Sequence, residues 1–117
     1  MENLVADTLK ILVEDGAETI LQWQGTSTAR EPASVINPYV DKIVPLLKSK
    51  TVRLDFTKLQ YMNSSTVTPI IRLIRLFDSE GIKTTVIYDK SSKWQQASFK
   101  ALETLARMLD NIHVLGQ

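Results

Sequence analysis

The reading turns on Val52-Arg53-Leu54-Asp55-Phe56 and, six residues on, Met62-Asn63-Ser64-Ser65-Thr66-Val67-Thr68-Pro69. In the first segment apolar residues alternate with Arg53 and Asp55, the period of a strand with one face buried and the other turned to water or a partner. Residues 58–62 read as a connection. Beyond it Ile70, Leu73, Ile74 and Phe77 recur at i, i+3, i+4 and i+7 with Arg72, Arg75 and Asp78 opposite, which predicts a helix from Thr66 to Ser79 ending before Gly81. A strand feeding a helix through a run of small hydroxyl residues is therefore the centre of the chain.

The flanks extend this pattern. Leu9, Ile11 and Val13 alternate within residues 8–14, Asp15-Gly16 supplies a turn, and residues 18–25 carry Ile20, Leu21 and Trp23, so a β-hairpin is expected. A polar loop over 25–34 leads to Asn37-Pro38, a cap with proline in the first turn. Val40, Ile43, Val44 and Leu47 form the stripe of that helix, and Pro45 should kink or shorten it. Residues 84–89 are β-branched and aromatic, hence a strand. Ser92-Lys93-Trp94-Gln95 has capping-box spacing and opens a third helix with Trp94, Ala101, Leu102, Leu105 and Leu109 inward. A short strand over 111–115 completes the order β-β-α-β-α-β-α-β. The expected class is α/β: one domain over residues 1–117, a mixed sheet of about five strands, and helices mainly on one face.

The bulk properties fit a self-standing domain. With 117 residues, 44% hydrophobic and 23% charged, the chain is long enough to bury a core without metals or disulfides. Fourteen basic against thirteen acidic residues give a net charge of +1, which supplies no field for nucleic acid. No apolar run suits a membrane span, no secretory pattern opens the sequence, and there is no cysteine, so a cytoplasmic protein is expected.

Two readings of residues 63–68 compete. Asn63, Ser64, Ser65, Thr66 and Thr68 could all serve as cap and first-turn residues that satisfy orphan amides. A helix N-terminus also presents free N–H groups and the positive end of the macrodipole, so a phosphoserine could be held there without unfolding the domain. Its charge of about −1.5 to −2 would repel a partner's acidic or apolar surface.

On these residues the segment from Val52 to Leu115 resembles STAS domains, the family of anti-sigma-factor antagonists and sulphate-transporter regulatory domains. Those regulators carry an apolar-Asp-Ser-Ser-Gly stretch where a strand opens the next helix, and the equivalent here is Met62-Asn63-Ser64-Ser65-Thr66. The resemblance implies that Ser64, or alternatively Ser65, is phosphorylated by a serine/threonine kinase of the histidine-kinase-like ATPase type. It also implies a metal-dependent serine phosphatase that reverses the reaction, and partner contacts through Asn63, Ser64, Ser65 and Thr66. Asn63 stands where the family has aspartate, and Thr66 where it has glycine. In both respects, and in residues 88–95, the chain looks closer to a subgroup of STAS-like regulatory phosphoproteins, some of which control a diguanylate cyclase instead of a sigma factor. The implied function is partner switching: a non-enzymatic protein that docks on an anti-sigma factor or a diguanylate cyclase and lets go when phosphorylated, existing as a monomer or weak dimer.

Other chemistries find less material. Leu12-Val13-Glu14-Asp15 with Asp55 imitates the acidic cluster of a receiver domain, but Gly16 leads into another strand where a receiver needs a helix. An interaction module that is never phosphorylated is the second alternative. His113 is the one histidine and should face solvent, and with four glycines there is no nucleotide-binding fingerprint. No cofactor or metal is expected.

Overall fold

A computed structural model describes residues 1–117. Three antiparallel strands come first: β1 (Leu4–Ala6), β2 (Leu9–Glu14) and β3 (Thr19–Ser27). Three helix-and-strand units follow: α1 (Ala33–Leu47) with β4 (Thr51–Met62), α2 (Val67–Ser79) with β5 (Lys83–Tyr88), and α3 (Lys93–Ala106) with β6 (Ile112–Gly116). The sheet runs β1-β2-β3-β4-β5-β6 in chain order, antiparallel up to β3 and parallel from β3 to β6. Right-handed crossovers that always advance one strand in the same direction place every helix on the same side. The main core therefore lies between one sheet face and the three helices, and the opposite face carries Ile20, Gln22, Arg53 and Asp55 without a covering layer.

The expected mixed α/β class and helices on one face are what forms, with six strands instead of five. The added strand is β1, whose three residues are too few to show a period. A larger difference concerns residues 58–62, which continue β4 instead of connecting it to the helix. Pairing with β3 slips twice, between Gln22 and Gln24 and between Gly25 and Thr26, so β4 carries extra residues opposite each step. Phe56, Leu59 and Met62 all point into the core at a spacing of three, which hides the strand from a period-two reading. Gly25, with φ of 80°, sits at this place because a Cβ would run into the carbonyl of Thr8, in the turn that opens β2.

α1 begins four residues before Asn37, seated by buried Ile36, and continues through Pro45 to Leu47. Pro38 and Pro45 both lie on its exposed side, so the carbonyls they leave without an amide partner face water, while Tyr39, Val40, Ile43, Val44 and Leu47 hold the helix on the core. α3 faces inward through Gln95, Phe99, Leu102 and Ala106; Trp94 and Leu105 are half-buried, as is Leu109 just beyond the helix, and Ala101 is exposed. A run of rings ties the layers together: Trp23 to Phe56 at 4.9 Å, Phe56 to Phe99 at 4.8 Å, and Phe99 stacked on Tyr88 at 5.6 Å.

Candidate functional site

β4 ends at Met62, and the next residues form a single 3₁₀ turn, Ser64–Thr66, that leads directly into α2. Asn63 is the cap, in extended geometry. Its Oδ1 accepts from the Thr66 N–H at 3.1 Å and from the Thr66 hydroxyl at 2.7 Å. Its Nδ2 donates to the Ala29 carbonyl at 2.9 Å, and its own N–H donates to the Ser27 carbonyl. Since the one Thr66 hydroxyl proton goes to Asn63, the Ser27 hydroxyl, 2.7 Å away, is the donor to Thr66 Oγ1. Thr66 and Ser27 are buried at 0% and 2% exposure, so this chain of bonds is sheltered from water and locks the turn to the end of β3 and the loop after it.

The network separates residues that the sequence left equivalent. Asn63 and Thr66 hold the turn. Ser64 and Ser65 are exposed and take no part in the Asn63–Thr66–Ser27 chain. Thr68 is exposed in the first turn of α2, and Pro69, which has no N–H to leave orphaned, is buried beside it. Thr66 was expected among the partner-contacting residues, and its complete burial corrects this: it supports the surface from beneath. The structure also explains the asparagine at 63. Its two oxygen contacts suit an aspartate equally, but the bond to the Ala29 carbonyl needs a donor, and only the amide supplies one.

A second polar residue, expected only as the closing member of a capping box, shapes this end of the molecule from within. Gln95 is 1% exposed; its Oε1 accepts from the Asp89 N–H at 2.8 Å, and its Nε2 donates to the carbonyls of Phe56 at 2.8 Å and Leu59 at 2.9 Å. Those carbonyls bracket the first irregularity of β4, so Gln95 satisfies backbone that the disturbed ladder leaves free. Half of the expected capping box is present, since Ser92 Oγ accepts from the Gln95 N–H, while the glutamine side chain turns to β4. Fixing the first turn of α3 on β4 brings Trp94 to 6.3 Å from Tyr61, which is half exposed. In the preceding turn, the hydroxyl and N–H of Ser91 hold the Asp89 carboxyl below its usual range.

The remaining candidates are dispersed. Asp55 lies mid-strand on the uncovered face, where its Oδ1 accepts from the N–H and hydroxyl of Thr57. Asp15 is in the hairpin turn, 4.0 Å from Lys50, and His113 is exposed on β6. The sequential strand order is also unlike the doubly wound order of receiver domains. No helix is long and apolar enough to cross a membrane.

No family model and no curated protein matches the sequence. Solved structures do. One is a chain in the crystal structure of diguanylate cyclase SiaD in complex with its activator SiaC from Pseudomonas aeruginosa, with a TM-score of 0.69 and 15% identity over 100% of both chains. Another is an uncharacterized DUF3478-family protein with a SpoIIAA-like fold from Shewanella loihica PV-4, with a TM-score of 0.59 and 12% identity over 97% of this chain and 92% of that one. Both comparisons agree on the architecture: the chain has a STAS-like, SpoIIAA-like fold.

Proposed function

We propose that this protein is a non-enzymatic, phosphorylation-controlled partner switch of the cytoplasm, working through the exposed turn at Ser64. The observation that carries the reading is the division of labour within residues 63–66: the cap network is complete without Ser64, so its hydroxyl is free for a kinase and its modification breaks no bond. Ser65, equally exposed, is the alternative acceptor. A phosphate at either position would lie at the positive end of α2, where the helix tolerates it, and would add about −1.5 to −2 charges to the docking edge.

The proposed downstream target is a diguanylate cyclase, supported by the fold shared with the SiaD–SiaC complex over the full length of both chains. An anti-sigma factor is the other target class. A serine kinase of the histidine-kinase-like ATPase type would write the mark and a metal-dependent phosphatase would remove it. Unphosphorylated protein docks; phosphorylated protein is released. The test is affinity capture from the native cells with wild-type, Ser64→Ala and Ser64→Asp proteins as baits. Wild-type and Ser64→Ala should retain a cyclase that Ser64→Asp loses by about a hundredfold in affinity, equivalent to about 2.7 kcal/mol. Equal retention by all three would refute the switch.

A further inference from the structure

The two edges of the sheet are built differently. β1 is a three-residue strand between Asn3 and Asp7, a short edge with a charge at its end that discourages pairing. β6, Ile112–Gly116, has neither proline, lysine nor a slip in its register with β5. Its backbone directions follow from the ends of the ladder. The Asn111 carbonyl accepts from Thr84 N–H, the Gln117 N–H donates to the Tyr88 carbonyl, and the Gln117 carbonyl accepts from Lys90 N–H. With period two, His113 and Leu115 also address β5, while Ile112, Val114 and Gly116 turn their N–H and C=O groups outward. On the helix side of this edge runs an open groove of about 490 Å³, lined by Ala106, Leu109 and Val114 with Glu103 and Arg107 on α3. On the other side His113 is exposed and Leu115 is 52% exposed.

We propose that β6 is a homodimer edge, occupied by β6 of a second copy running antiparallel about a two-fold axis at Val114. The choice of a second copy rests on self-complementarity. In this register Val114 faces Val114 and Ile112 faces Gly116 of the second copy as hydrogen-bonded pairs, so every outward N–H and C=O of the three residues finds a partner. His113 then stands directly opposite Leu115 of the second copy, covering its apolar side chain. Along the groove the two α3 helices would run antiparallel, setting Glu103 of each copy, whose Oε1 accepts from the Tyr88 hydroxyl and whose other oxygen stays open, toward Arg107 of the other, a reciprocal charge pairing of the kind a two-fold interface makes. The two six-stranded sheets become one. Ser64, which follows β4, two strands in from this edge, stays open in both copies, so the dimer would present two switch surfaces at once. This inference is independent of whether Ser64 is phosphorylated.

Light scattering coupled to size exclusion tests it over micromolar to high-micromolar concentrations. Wild-type should move from 13.2 kDa toward twice that mass. His113→Lys/Leu115→Lys, which changes two exposed residues and opposes like charges across each pair, should remain monomeric with an unchanged circular dichroism spectrum. The chain has no cysteine, so Val114→Cys introduces a single thiol. At the two-fold axis the paired Cα atoms would be about 5.5 Å apart, within disulfide range, and mild oxidation should cross-link them. A wild-type monomer at every concentration with no cross-link in Val114→Cys overturns the proposal, as does a dimer that persists in the double lysine variant.

Discussion

Replacing Asn63 measures how firmly the Ser64 turn is held. Asn63→Ala removes the acceptor of the Thr66 N–H and hydroxyl and the donor to the Ala29 carbonyl. Loss of an N-cap costs about 0.5–2 kcal/mol, and the bond to Ala29 is worth about 0.5–1.5 kcal/mol more. The sum, about 1–3.5 kcal/mol, is a large part of the roughly 6–15 kcal/mol expected for a domain of this size. Asn63→Asp separates the two contributions. A carboxylate keeps both oxygen contacts and gains about 0.3–1 kcal/mol from the helix dipole, but it sets a carboxylate oxygen against the Ala29 carbonyl. Its net cost should be about 1 kcal/mol. The capped carboxyl would have a depressed pKa in the folded state, so its contribution is complete above the ordinary carboxylate pKa and is lost as pH falls through the folded value. Urea unfolding followed by tryptophan fluorescence at neutral and acidic pH gives all three numbers. An alanine variant within about 0.5 kcal/mol of wild-type would refute the capping argument, since the two bonds cannot then be formed as described.

Other consequences follow from the same geometry. Gln95→Leu leaves the Phe56 and Leu59 carbonyls and the Asp89 N–H buried without partners, and should lower stability by about 3–5 kcal/mol in denaturant titration. Gly25→Ala forces a Cβ onto the Thr8 carbonyl at a positive φ, and its melting temperature should fall by more than about 10 °C by differential scanning calorimetry. The Tyr39 hydroxyl is pushed up to about 12, first by burial and then by Glu2, while in the unfolded chain it titrates near 10.0. Because the folded value is the higher one, its contribution is intact below pH 10 and lost as pH rises toward 12, so wild-type should show an alkaline destabilisation in this window that Tyr39→Phe reduces, with Tyr88, raised by its bond to Glu103, supplying a remainder.

The sequence made the first half of β4, the apolar stripe of α2 and the hairpin legible, because each keeps one period over several residues. The second half of β4 was hidden by its own irregularities: Phe56, Leu59 and Met62 follow neither a strand nor a helix period, although all three are core residues. The start of α1 was misplaced because Asn37-Pro38 imitates a cap, whereas the helix is seated four residues earlier by Ile36. At the site, the hydroxyl cluster marked the right turn but could not rank its members. That ranking depends on Ser27 and Ala29, which lie over thirty residues away in sequence and meet Asn63 and Thr66 only once β3 and β4 pair. Gln95 was legible only as the end of a capping box; its burial was hidden, since a polar residue in a first turn reads as exposed until its partners on β4 are known.

The central claim is that nature modifies the free hydroxyl and leaves the cap intact. The direct measurement is mass spectrometry of the protein recovered from its native cells, reading the tryptic peptide Leu59–Arg72 across growth conditions. The account predicts one added phosphate, localised to Ser64, in a fraction that changes with condition. An unmodified peptide under every condition, or a phosphate found only on the buried Thr66, would contradict it.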